Sequence, residues 1–246
     1  MRAIAVAFTV LIMVATPQAA KAYFDQLDEL LAAHVKAKTE DGIQYNGVDY
    51  DAWGNDPRHT LVRDVILTTN PATLLSKEEK LAFWINAYNV LTIDLIIREE
   101  ERESIKNLGG LFSSPWSKHK WEIAGQSYTL DNIEHDVIRP LGEARIHFAI
   151  NCAAKSCPDI RVKAYRPEKL NAQLADQVSL TFRNNTKGFR KTPNQNTIHI
   201  TKVMDWFGED FNDRDLHSWL KPYFPNIITD ETEIKFFDYV WSLNKL

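Results

Sequence analysis

Two cysteines stand five positions apart in Asn151-Cys152-Ala153-Ala154-Lys155-Ser156-Cys157-Pro158, and that segment carries the most reactive side chains of the chain. The pair is open to two chemistries. In an oxidising compartment Cys152 and Cys157 are a disulfide candidate. With a base or cation close by, one of them is instead a thiolate nucleophile able to attack a carbonyl. Cys152 is the better placed, because it stands where an apolar run ends, and Lys155 brings positive charge near it.

Two histidines are candidate bases for such a thiol. His147 alternates with Ile146, Phe148 and Ile150, so it occupies the other face of that run. Five residues is an odd separation, so in a regular strand His147 and Cys152 face opposite ways and can meet only if the chain bends near Asn151. His135 follows Glu134, with Asp131 four residues back to orient it or to cap a helix. Glu134 shares a stripe with Ile138 and has Arg139 as a candidate ion-pair partner. Asn86 and Asn89 lie one helical turn apart in apolar surroundings, where an amide must find a partner, either a loop or a substrate carbonyl.

His135, His147, Cys152 and Cys157 are zinc-type ligands by chemistry, but their spacings lack the close pairs of a zinc motif, so no metal is expected. No phosphate loop, dinucleotide fingerprint or G-x-S-x-G elbow is present, and no cofactor is expected. The seven tryptophans are scattered and read as core and rim rather than as a stacking platform.

The elements that must hold these residues form an α+β pattern. A helix is expected from Tyr23 to about Lys38, then a hairpin over residues 43–50 turning at Asn46-Gly47. Ser76-Lys77-Glu78-Glu79 is a capping box opening a helix to about Glu101, apolar on nearly every face and therefore buried at the centre. Residues 107–120 read as an exposed loop, followed by a second hairpin around Ala124-Gly125. A short helix capped by Asp131 and Glu134 ends before Pro140, and Arg145–Asn151 reads as a buried strand. A helix near Pro167–Phe182, a strand over Thr197–Thr201 and a mostly helical, aromatic C-terminal third complete the pattern. Short hairpins and a small mixed or antiparallel sheet around one buried helix make a single α+β domain.

Composition bounds the rest. The chain has 246 residues, 44% hydrophobic and 25% charged, with a formal net charge of −4, so a nucleic-acid partner is not expected. Met1-Arg2, the apolar run Ala3–Ala15, Pro17 and the small residues Ala20 and Ala22 are the parts of a secretory signal peptide over residues 1–22. Residues 23–246 would then be the mature domain, periplasmic or secreted, with no stable membrane insertion. No later stretch reads as apolar enough to span a bilayer.

Taken together, Leu81-Ala82-Phe83-Trp84-Ile85-Asn86-Ala87-Tyr88-Asn89, Ile133-Glu134-His135, Arg145-Ile146-His147-Phe148-Ala149-Ile150-Asn151-Cys152, Lys155-Ser156-Cys157-Pro158, Tyr165 and Asp210-Phe211 form a series. Over about residues 42–223 it resembles the domain-of-unknown-function 547 family. The resemblance implies an exported bacterial protein and brings no established reaction. It also implies that Asn86, Asn89, Glu134, His135, His147 and Cys152 meet in a cleft. The resulting expectation is a thiol hydrolase or acyltransferase of the papain or transglutaminase kind, acting on a peptide or amide. Cys152, His147, His135, Glu134 and Asn86 would be catalytic, with Asn89, Ser156, Arg139 and Tyr165 binding substrate. The other expectation is a non-catalytic module that binds a small molecule or peptide and is braced by a Cys152–Cys157 disulfide.

Overall fold

The computed structural model describes residues 17–246, so the expected signal peptide falls mainly outside the described residues. Helix α1 (Pro17–His34) buries Tyr23, Leu27, Leu30 and Leu31. It ends earlier than expected because the chain passes straight into β1 (Val35–Glu40), which pairs antiparallel with β2 (Ile43–Val48). This hairpin turns at Asp41-Gly42, both with positive φ, and not at Asn46-Gly47. Asn46 and Gly47 lie inside β2 for other reasons. A Cβ on Gly47 would come within 2.8 Å of Leu246, so glycine there lets the chain's end lie against the strand. Asn46 donates from its amide to Asp159 and from its side chain to the Ile160 carbonyl, tying β2 to the segment after Cys157.

Helices α2 (Tyr50–Asn55) and α3 (Pro57–Thr68) lead to α4 (Lys77–Arg98), the centre of the fold. Its start is the expected capping box: Ser76 Oγ accepts from the Glu79 amide and the Glu79 carboxylate accepts from the Ser76 amide. Every residue from Leu81 to Ile96 is buried, as the all-round apolar pattern requires. By length and mean hydropathy α4 could cross a membrane, contrary to the expectation above, but 83% of its most apolar window is buried inside the fold.

After the short α5 (Pro115–Lys118), strands β3 (Trp121–Ile123) and β4 (Gln126–Tyr128) form the second hairpin, turning at Ala124-Gly125 as expected. Two later segments depart from the sequence reading. Asn132–Ile138 is a π-helix, closed where the Arg139 amide donates to the Glu134 carbonyl. Asp131 does not cap it; Thr129 and Asn132 exchange hydrogen bonds at its start instead. Ala144–Phe148 is a 3-10 helix, not a strand. Its tighter period sends Ile146 to the apolar cluster around α4 and Phe148 to a second cluster with Phe182, Phe211 and Leu220. The two-residue alternation read as a strand therefore serves two cores on different sides.

Helix α6 (Leu170–Arg183) follows. The three-stranded mixed sheet joins β5 (Phe189–Lys191), β6 (Thr197–Ile200) and β7 (Glu233–Phe236), with β5–β6 antiparallel and β6–β7 parallel. Between β6 and β7 lie α7 (Val203–Trp206) and α8 (Leu216–Leu220). The C-terminal third is thus made mostly of short pieces and irregular chain rather than long helices. Its last segment runs back along the cysteine loop: Ala154 bridges Leu243, and the amides of Lys155 and Ser156 donate to the carbonyls of Ser242 and Val240.

Candidate functional site

Helix α4, the π-helix, the 3-10 helix and the cysteine loop converge on a cleft of about 290 Å³. Cys152, Cys157, Glu134, His135 and His147 all line it, together with Tyr88 and Tyr239. The structure therefore gathers four of the five residues expected to be catalytic.

The cysteine loop is held from several sides. Asn89, buried on α4, donates to the Ala149 carbonyl at 2.9 Å and accepts from the Asn151 amide at 2.8 Å, closing the bend that precedes Cys152. Asn151 Oδ1 accepts from the Ala153 amide and its Nδ2 donates to the Pro158 carbonyl. Ala153 is in the left-handed region (φ 62°), a conformation that costs an L-residue about 1–2 kcal/mol and turns the chain sharply after Cys152. Buried Lys187 places its ammonium on the carbonyls of Lys155 and Cys157 and on Asp159.

Both thiols are free, so the expected disulfide is not formed. Cys157 is buried and its sulfur accepts from the Cys152 amide at 3.1 Å. Partly exposed Cys152 has its sulfur 3.0 Å from the Tyr239 hydroxyl. Hydrogen bonding from the Cys157 thiol, followed by Tyr239 and the Ala154 amide, holds the Cys152 thiol below its ordinary pKa despite burial. Burial and the neighbouring sulfur push Cys157 well up.

His147 donates from Nε2 to Asp210 Oδ2 at 2.6 Å and stacks on Phe207 at 4.1 Å between ring centroids. Burial lowers its pKa to about 4, against the pull of Asp210, so the ring is neutral near pH 7. Its proton is thus on Nε2, and Nδ1, buried without a partner, is the bare nitrogen. Nδ1 lies 4.0 Å from Glu134 Oε1. Burial raises Glu134 to about 7, although Tyr88 donates to its Oε2 at 3.1 Å. Asp210 receives two further bonds from Arg139, at 2.7 and 2.9 Å; burial would raise its pKa, but these donors and His147 hold it low. Arg139 also donates to His135 Nδ1 at 2.8 Å, and His135 Nε2 lies 3.9 Å from Asp131.

The other expected residues stand apart from the cleft. Asn86 exchanges two hydrogen bonds with the main chain of Tyr165, at 2.8 and 2.9 Å, and does not line the cleft, so its amide is engaged away from any oxyanion there. Asn89 is spent on the bend before Cys152, and Tyr165 is buried beside Asn86. Ser156 Oγ accepts from the Val240 amide, which fixes the segment carrying Tyr239. Arg139 acts through Asp210 and His135 rather than lining the cavity.

Sequence reading assigned no role to Asp210 and missed Tyr239. Asp210-Phe211 belongs to the recognised series, whereas nothing local to Tyr239 signals its partner eighty-seven residues away. Three of the seven tryptophans, Trp116, Trp206 and Trp241, also line the cleft, contrary to their reading as core and rim.

Among known proteins, the family profile described as "Protein of unknown function, DUF547" matches residues 72–180, a span that includes every catalytic candidate but neither Asp210 nor Tyr239. No curated protein and no solved structure matches the chain at a significant level.

Proposed function

The chain is a member of the DUF547 family through residues 72–180, and from that premise we propose that it is a cysteine-dependent hydrolase or acyltransferase acting on a peptide or amide. One observation carries the reading. Cys152, whose sulfur lies 3.0 Å from the Tyr239 hydroxyl, opens onto the same cleft as His147, whose bare Nδ1 has no partner. No hydrogen bond joins the two, but catalytic contacts in free enzymes are often long and close only around substrate.

In the proposed reaction Cys152 yields its proton to His147 Nδ1 and attacks the carbonyl carbon, forming a C–S bond and an oxyanion. Collapse of this species breaks the C–N bond, and the departing amine takes the proton from His147. Water then attacks the thioester to release the acid and restore the thiol; an amine in its place completes acyl transfer. Asp210 keeps Nε2 protonated and stabilises the transient imidazolium, as the carboxylate of a triad does. With Asn86 and Asn89 engaged elsewhere, protonated Glu134 and the Tyr239 hydroxyl are the donors at hand for the oxyanion. The setting we assign is periplasmic or secreted, on the strength of the N-terminal pattern.

The contrasting reading, a non-catalytic module braced by a disulfide, has lost its brace, since both thiols are free. The test is acylation by activated esters and thioesters, followed by mass spectrometry and turnover. Cys152 should carry the acyl group, and Cys152→Ser and His147→Gln should abolish turnover. Undiminished turnover by folded Cys152→Ser protein overturns the proposal.

A further inference from the structure

The charge of the cleft is one-sided. Among the described residues, Asp131 and Glu134 line it and no lysine or arginine does; burial raises Glu134 to about 7, so below that pH it is mainly a neutral donor and Asp131 is the acidic group facing a ligand. Its other wall is aromatic: Tyr239 packs on Trp206 and Trp241 at 4.6 and 4.5 Å between centroids, Trp206 stacks on Trp241, and Trp116 meets Trp241 edge-on. Trp206 is 40% exposed, so a large indole surface is open to a ligand.

Ring faces carry the negative part of the aromatic quadrupole and attract cations. The protein already uses this property at two rings that line the cleft, Trp241 and Phe207. The Lys106 ammonium lies 5.3 Å from the Trp241 centroid, and the Arg139 guanidinium lies 5.4 Å from that of Phe207. Arg139 is paired through two bonds to Asp210, so it adds little net charge to the cavity. An anion entering the cleft would meet ring faces and the Asp131 carboxyl group, with no lysine or arginine among the described residues lining the cavity to receive it.

We infer that the cleft receives a cationic part of its substrate, an ammonium or guanidinium held between the Trp206–Tyr239–Trp241 wall and Asp131, beside the Cys152 thiol. The implied substrate class is amides or esters carrying a basic group near the bond to be cleaved. The chemical step rests on the thiol reading above; the binding preference does not.

The test uses three ligands of similar shape, benzyltrimethylammonium, benzyl alcohol and phenylacetate, with binding followed by tryptophan fluorescence and calorimetry. The cation should bind about tenfold more tightly than the alcohol, with the carboxylate weakest. Asp131→Asn and Trp206→Leu, both at exposed positions, should each reduce that preference with unchanged circular dichroism and melting temperature. Equal binding of the three, tighter binding of phenylacetate, or no saturable binding of the cation at millimolar concentration overturns the inference. Repeating the titration with Cys152→Ala separates the two claims: cation selectivity should persist there, whereas a wild-type protein that selects the cation but never acylates Cys152 sinks only the thiol reading.

Discussion

His147 Nε2 lies 2.6 Å from Asp210 Oδ2, and that bond decides which imidazole nitrogen is left for chemistry. Because the neutral ring keeps its proton on Nε2 and donates it in a hydrogen bond to Asp210, the bare Nδ1 is buried without a partner, on the side of Glu134. Arg139 grips the same carboxylate and keeps it ionised.

Asp210→Asn should therefore act on the base and not on the thiol. An amide can offer Nε2 either an oxygen or an NH2, so the tautomer is no longer imposed. Turnover should fall on the order of 10⁴-fold, by analogy with the carboxylate of a catalytic triad. Acylatable Cys152 should remain, with an alkylation profile close to wild type. Equal turnover in wild type and variant would remove Asp210 from the proposed machinery.

The pH dependence of stability should expose Glu134 and His147 as opposing contributors. Burial raises Glu134 from 4.5 to about 7, so the native state holds a proton that the unfolded chain has lost, and stability falls as pH rises across that window. Burial lowers His147 from 6.5 to about 4, so its contribution is fully present above 6.5 and is lost as pH falls towards 4. Each shift is worth on the order of 3 kcal/mol, and across roughly pH 4.5 to 6.5 the two slopes cancel. Glu134→Gln should uncover the histidine slope, with stability falling relative to wild type as pH drops from 6.5 to 4. Urea unfolding at pH 4.5, 5.5 and 6.5 measures it; parallel wild-type and variant profiles would contradict the assignment.

The donors around Cys152 should set its reactivity. Tyr239→Phe removes the hydroxyl 3.0 Å from the sulfur and should raise the thiol pKa. One hydrogen bond to a charged group is worth about 1.5–3 kcal/mol, so alkylation near pH 7 should slow by about tenfold or more. Iodoacetamide labelling across pH 5 to 9, resolved by mass spectrometry, reads this directly. Cys157 should stay unlabelled in the folded protein, because burial and its neighbouring sulfur hold its pKa high. Faster labelling of Cys157 than of Cys152 would reverse their proposed roles.

What the sequence revealed follows from the range of the interactions involved. The Ser76–Glu79 capping box, the all-round apolar α4 and the Ala124-Gly125 turn are local, and each was legible. Asn46-Gly47 misled because glycine serves two purposes, turning a chain and admitting another backbone, and only the distant Leu246 decides between them. Ile146, Phe148 and Ile150 suggested a strand because alternation cannot tell one core from two. In the site, residue types identified Cys152, His147, His135 and Glu134 as candidates, but their partners Asp210 and Tyr239 are brought in by the C-terminal third, beyond the reach of any local pattern. Asn86 and Asn89 are amides in apolar surroundings that need partners, and those partners are main chain.

That last distinction gives a prediction in which stability and chemistry separate. Asn89→Ala would leave the Ala149 carbonyl and the Asn151 amide without their partner in a buried position. Each buried group left unsatisfied costs about 1–3 kcal/mol, so stability should drop by roughly 2–6 kcal/mol in urea titration. Asn86→Ala, which strands the main chain of Tyr165, should lose a similar amount. Only the first change loosens the bend into Cys152. Under conditions where both variants remain folded, Asn89→Ala should therefore lose acylation rate as well, whereas Asn86→Ala should acylate Cys152 at close to the wild-type rate. A rate loss in Asn86→Ala as large as that in Asn89→Ala would mean that Asn86 reaches the reaction by a route other than its bond to Tyr165.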